Sequence, residues 1–225
     1  MIELIQQKNN LIGSEDAIMA LSEKNHGRVL VASDSHNNFT ILLDILKQFG
    51  PSCDAFAFCG DGLSDIANIY SLASEDEDIR KVIPPVIAFV GGNCDPSVYP
   101  ISLTKKLTAP PKQVLNVNGQ NILIVHGHRE SVDFCFDKLA AEMKRSGCKT
   151  GLFGHTHIAE DVYTNNDIRF INPGSCSSPR GGQPKSFAIL TVEKTFIDAA
   201  FIEITYEDSD LDNVNKKGYR IWQPN

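Results

Sequence analysis

Paired cysteines, long apolar runs, excess positive charge and repeated or low-complexity tracts are all missing from this sequence, and each absence closes off a class of protein. The six cysteines (Cys53, Cys59, Cys94, Cys135, Cys148 and Cys176) are scattered through 225 residues without a Cys-x-x-Cys pair. A disulfide framework or zinc knuckle is therefore not expected, and the cysteines read mostly as small buried hydrophobes. No stretch approaches the roughly 20 apolar residues of a bilayer-crossing helix. Glu3, Lys8, Glu15 and Asp16 interrupt the region where a signal peptide would be unbroken. No membrane partner is expected, and a cytoplasmic location is. Lys and Arg number 21 against 28 Asp and Glu, a net charge of −7. That balance repels polyanions, so nucleic acid is a disfavoured partner.

What is present is an ordinary globular composition, 42% hydrophobic and 22% charged, in a chain long enough to bury roughly 70% of its unfolded surface without covalent staples. No Gly/Ser or Pro linker divides it, so one domain is the economical reading. Short β-branched or aromatic runs alternate with helical patterns. Strands are predicted at 28–32, 54–59 and 86–90, with helices at 39–49 and 64–81, the latter stopped by Pro84 and Pro85. Asn118-Gly119 predicts a hairpin between 114–117 and 121–125. A helix over 132–145 and a strand over 150–153 follow. Strands at 158–163 and 168–171 flank a turn at Asn165-Asn166, and 187–192 pairs with 196–205. The pattern predicts an α/β fold of two mixed sheets packed face to face with helices outside.

The domain is expected to span 28–206. Residues 1–27 form an N-terminal extension, either a packed helix capped by Ser14 or an arm onto a partner. Residues 207–225 form a polar C-terminal tail whose Tyr219, Ile221 and Trp222 favour docking over full solvation.

The chemistry lies just past the strands' carboxyl ends. There the sequence places Ser33-Asp34-Ser35-His36, Gly60-Asp61-Gly62, Gly91-Gly92-Asn93-Cys94-Asp95, His126-Gly127-His128 and Gly154-His155-Thr156-His157. Loops at the carboxyl ends of neighbouring strands share one crevice. Asp34, Asp61, His36, His126, His155, His157 and Asn93 would bring enough donor atoms there for two ions. Oxygen and imidazole donors without thiolate suit Mn²⁺, Fe²⁺, Zn²⁺ or Ni²⁺. Residues two apart on an extended segment point the same way, which explains the Asp-x-His and His-x-His spacings.

These five blocks, in this order and followed by Asn172-Pro173-Gly174-Ser175, resemble the calcineurin-like metallophosphoesterase superfamily and its YfcE-type branch of small phosphodiesterases. The resemblance implies a four-layer αββα sandwich. It implies one metal held by Asp34, His36, Asp61 and His157, and a second held by Asp61, Asn93, His126 and His155, with Asp61 bridging. It further implies hydrolysis of a small phosphodiester by in-line attack of a metal-bound hydroxide between two divalent ions about 3.5–4 Å apart, manganese being the first choice. Homodimers occur among such relatives. The catalytic set on this reading is Asp61, Asn93, Cys94 and His128. Cys94 stands where other relatives have a histidine that protonates the leaving group, and a thiol with a reference pKa near 8.5 can still supply a proton.

Other residues carry plainer readings. Asn37 and Asn38 read as caps of the following helix, His26 as solvated, and Glu75 to Asp78 as an exposed charged face. His128 either lines the substrate pocket or orients a ligand. Arg180 is either a phosphate contact or a surface charge. Two functions compete on this fold: a two-metal phosphodiesterase and a non-catalytic interaction scaffold of the retromer-subunit kind.

Overall fold

Along β1 (Gly27–Ala32) the side chains alternate, Val29 and Val31 to one side and Leu30 and Ala32 to the other, and all four are fully buried. A strand apolar on both faces must sit in the middle of a layered structure. In the computed structural model, which describes residues 5–102, 105–164, 167–207 and 216–224, β1 is central to a six-stranded sheet. β2 (Ala55–Phe58) and β3 (Val86–Phe89) extend it in parallel on one side. β11 (Ser186–Val192), β12 (Ile197–Glu207) and β13 (Lys216–Trp222) extend it antiparallel on the other.

A second sheet is ordered β6-β7-β8-β10-β9. It comprises β6 (Lys112–Val117), β7 (Gln120–Val125), β8 (Thr150–Leu152), β9 (Ala159–Tyr163) and β10 (Arg169–Pro173). The inner faces meet in one core, with Val29, Val31, Ala57 and Ala88 against Leu115, Ile122, Ile124 and Ile171. α2 (Phe39–Phe49) and α3 (Leu63–Glu75) cover the outer face of the first sheet over Leu30, Phe56, Phe58 and Phe89. α5 (Asp137–Arg145) covers the second over Leu123, Val125 and Phe170. The layers run αββα, as expected.

Chain from both ends of the sequence adds to the larger sheet. α1 (Glu15–Glu23) is capped by Ser14 Oγ, which accepts the Ala17 N–H. The segment before it bridges β3 through paired backbone hydrogen bonds between Ile12 and Ile87. At the other edge β13 pairs along β12, with Trp222 edge-on to Phe201. An unpaired strand edge templates association; the Ile12 bridge shields part of β3, and β13 is the outermost strand on the other side. No helix among the described residues is long and apolar enough to cross a membrane.

Four element assignments differ from expectation, one being that the expected C-terminal tail supplies β13 to the larger sheet. The helix expected over 64–81 breaks at Asp76, whose extended backbone and side chain cap α4 (Glu77–Val82) by accepting the Asp78 and Ile79 N–H groups. The helix expected from Val132 begins only at Asp137, because Ser131 takes a left-handed φ of 59° and the chain coils first. A short hairpin, β4 (Val98–Pro100) with β5 (Lys106–Thr108), was not foreseen. The turn expected at Asn165-Asn166 lies outside the described residues.

Candidate metal centre

Five strands end on the same side of the sandwich, and their following loops are tied together by backbone hydrogen bonds. Asp34 N–H donates to Gly60 O, His36 N–H to Asp61 O, and Gly154 N–H to His126 O. Among the residues that follow, Asp34, His36, Asp61, His155 and His157 have φ between 46° and 70°. The left-handed region costs a non-glycine residue roughly 1–3 kcal/mol, a strain that concentrates at functional sites. Glycine is required where the loops touch. A Cβ on Gly92 would overlap Asp61 Oδ1, and one on Gly154 would overlap Ser33 Oγ.

The ligand atoms converge in two connected groups. His157 Nε2 lies 3.3 Å from Asp34 Oδ1 and 3.0 Å from His36 Nε2, and His36 Nε2 lies 3.8 Å from Asp61 Oδ2. On the other side of Asp61, Oδ2 is 3.4 Å from His126 Nε2, which is 3.1 Å from Asn93 Oδ1. Asp61 thus stands between the groups. Asp34, His36 and His157 form one cluster able to hold a cation, and Asp34, Asp61 and His126 another. His155 stands apart from both. Its ring is 5.2 Å from that of His126, but its Nε2 is 2.9 Å from Asp133 Oδ2.

The tautomers follow from the hydrogen bonds. His126 Nδ1 donates to Cys59 O at 2.7 Å and His157 Nδ1 to Ser178 O at 2.6 Å. In the neutral rings, both Nε2 atoms therefore carry lone pairs aimed into the centre. Asp34 Oδ1 is fully buried and has no hydrogen-bond partner, an arrangement that is costly unless a cation faces it. Burial resists ionisation of Asp61, but the His126 bond and charge and the Cys94 N–H outweigh it, holding the carboxyl well below the usual range. Burial likewise opposes a charged His126, yet the Asp61 bond and the Asp34 charge raise its pKa. The Asp34 carboxylate raises that of His157. Oxygen and imidazole donors, an orphaned buried carboxylate oxygen and preset ring nitrogens all fit divalent transition ions.

Cys94 is exposed, and its backbone N–H donates to Asp61 Oδ1 at 2.8 Å. Its Sγ joins His36 and Asp61 in a third possible cation cluster. Lost hydration and the adjoining Asp61 carboxylate push the thiol up to about 11, making it a weaker acid than its reference value implies. His128 lies beside His126 and His155, with ring centroids 5.3 and 6.1 Å away, and its buried Nδ1 lacks a partner. Burial and the charges of His126 and Arg129 lower its pKa. Arg180 is exposed, and its N–H donates to His157 O. Asn38 caps α2, whereas Asn37 accepts from Ser64 Oγ and caps nothing. His26 is exposed.

Two supporting roles went unread in the sequence. Asp95 accepts the N–H groups of Asp61, Gly62, Leu63 and Gly92 at 2.8 to 3.0 Å, capping α3, whose own N-cap Gly62 has no side chain to do so. Asn172 donates to Gly154 O and Thr156 Oγ1, and Ser175 Oγ donates to Asp34 O. The Asn-Pro-Gly-Ser block therefore scaffolds two ligand loops.

The chain matches the calcineurin-like phosphoesterase superfamily domain over residues 28–195. It is 32% identical to Phosphodiesterase YfcE of Escherichia coli K12 over 171 residues, covering 72% of this chain and 86% of that protein. It is 30% identical to the probable metallophosphoesterase YsnB of Bacillus subtilis 168 over 186 residues, covering 82% and 96%. In fold it is similar to Vacuolar Protein Sorting 29 of Cryptosporidium parvum, with a TM-score of 0.60 at 15% identity, covering 88% of this chain and 99% of the other. The ordered blocks, the αββα layers and these likenesses agree: the chain belongs to the calcineurin-like phosphoesterase superfamily.

Proposed function

We propose that this chain is a phosphodiesterase that works with two divalent cations. One would be held by Asp34, His36, Asp61 and His157, the other by Asp61, Asn93, His126 and His155. The observation that supports this most is Asp34 Oδ1, a buried carboxylate oxygen without a donor beside an imidazole whose Nε2 faces it. When bound, the cations supply positive charge for the phosphoryl oxygens and acidify water enough to make a nucleophile at neutral pH. Manganese is the first candidate, with nickel, iron and zinc compatible with the same donors.

The protein's own groups position and protonate. Asn93 presents its amide oxygen beside His126. Cys94, which keeps its proton at neutral pH, would be the group placed to donate it to a leaving alkoxide. A cavity of about 230 Å³ bordered by His36, Asn37, Asp61, Cys94 and Tyr99 suits a small substituent of a small-molecule diester. His128 lies beside His126 and His155, and exposed Arg180 can reach over a phosphate from the loop that anchors His157.

The competing reading is a non-catalytic interaction scaffold. Its support is the likeness to Vacuolar Protein Sorting 29, which is one of fold alone. A scaffold gives no chemical reason for buried carboxylates among converging imidazole nitrogens. Hydrolysis of a chromogenic aryl phosphodiester by metal-stripped protein, before and after Mn²⁺, decides between them. Metal-dependent turnover abolished by Asp61→Asn supports the enzyme, and equal absence of turnover in both states rejects it.

A further inference from the structure

The short strand β4 brings an aromatic ring to the rim of the centre. Tyr99 lies in the middle of β4, in register with Leu107 of β5. Residues directly opposite on paired strands send their side chains to the same face. Leu107 is buried, and Tyr99, half-buried, packs against the same core cluster, so the inward face of the hairpin fixes the tyrosine. Tyr99 also borders the cavity of about 230 Å³ shared with His36, Asp61 and Cys94. We infer that Tyr99 selects one ester group of the substrate, and that the group it accepts is a compact, planar, uncharged ring. The inference rests on the phosphodiesterase reading above and narrows it.

Size, shape and charge each contribute. The cavity is smaller than the roughly 300–1,000 Å³ of sites that enclose drug-sized ligands, which limits the seated group to about one ring. A ring laid against Tyr99 gains an aromatic contact in addition to the burial of its surface. Beside it stands the Asn37 amide, whose Oδ1 accepts from Ser64 Oγ at 2.7 Å, leaving Nδ2 to donate to a polar atom on the ring. Charge then excludes a second anion. Asp61 and Asp95 border the cavity and no lysine or arginine does, and the Asp95 carboxylate is engaged by backbone N–H groups rather than by a cation. A carboxylate or second phosphate on the seated group would meet these like charges with no basic side chain on the wall to offset them.

The test is made on the full chain. With Mn²⁺ present, kcat/KM is measured by ³¹P spectroscopy for the methyl phosphodiesters of phenol, 4-hydroxybenzoate and trifluoroethanol, the last carrying no ring. Tyr99→Ala should lower the ratio of the phenyl to the trifluoroethyl ester about 5- to 10-fold, and Tyr99→Phe, which keeps the ring, should restore it. The wild type should disfavour the 4-carboxyphenyl ester against the phenyl ester, and Pro96→Lys, which places a cation on the exposed border of the cavity, should relieve that discrimination. In the metal-free protein, phenol should shift the Tyr99 ring signals in ¹H–¹³C spectra and benzoate should shift them less. A phenyl-to-trifluoroethyl ratio that Tyr99→Ala leaves in place, equal use of the phenyl and 4-carboxyphenyl esters by the wild type, or Tyr99 signals unmoved by phenol would each overturn the inference while leaving the phosphodiesterase reading intact. A wild type that hydrolyses none of the esters, although phenol still moves Tyr99, would overturn the reading itself.

Discussion

Asp95 accepts the backbone N–H of Asp61 at 2.8 Å, so the carboxylate proposed to be shared by two cations is placed by a second carboxylate that binds none. Asp95 also gathers the N–H groups of Gly62, Leu63 and Gly92, joining the loops after β2 and β3 and complementing the α3 dipole. Asp95→Ala leaves these donors unpaired. It should destabilise the protein by about 2–3 kcal/mol and raise the Mn²⁺ concentration needed for half-maximal binding. Urea unfolding and Mn²⁺ titration read the two effects. Unchanged values for both would remove Asp95 from the account.

Acidity should act oppositely on the metal-free and metal-loaded forms. His126 and His157 both have raised pKa values through Asp61 and Asp34. In the metal-free protein their contribution to stability is complete below the ordinary histidine value of about 6.5 and is lost as pH rises through the raised values. A cation must displace those protons, so its affinity should fall on acidification beginning above pH 6.5, by up to about 100-fold per pH unit when two protons are released. The gap in Tm between Mn²⁺-loaded and metal-free protein should therefore widen from pH 5 to 8. A gap that narrows or stays constant contradicts the assignment of these two rings.

Cys94 is exposed yet retains its proton. In metal-free protein, alkylation of Cys94 by iodoacetamide, followed by mass spectrometry, should be slow at pH 7 and rise about tenfold per pH unit toward 11. Cys94→His should change turnover while leaving metal stoichiometry intact, since the thiol is not in the proposed ligand set. Loss of bound metal in that variant would instead make Cys94 a ligand, as its place near His36 and Asp61 also permits.

The central strands were legible because apolar runs such as Phe56 to Phe58 have no other home, and the ligand loops because polar residues follow those runs directly. The break at Asp76 was not, since an aspartate inside Glu75-Asp76-Glu77-Asp78 looks the same on a helix face as at a cap. The β4–β5 hairpin is short and largely exposed, so it lacks a hydrophobic period. Asp95 stood in view within its block, but an acceptor for four backbone N–H groups exists only after two distant loops meet.

The most direct test of the account is an anomalous-difference map from crystals of the full chain equilibrated with Mn²⁺. Two peaks flanking the Asp61 carboxylate are predicted, one contacted by Asp34, His36 and His157 and the other by Asn93, His126 and His155. No peak at Asp61, or a single one with the second group of side chains turned away, would contradict it.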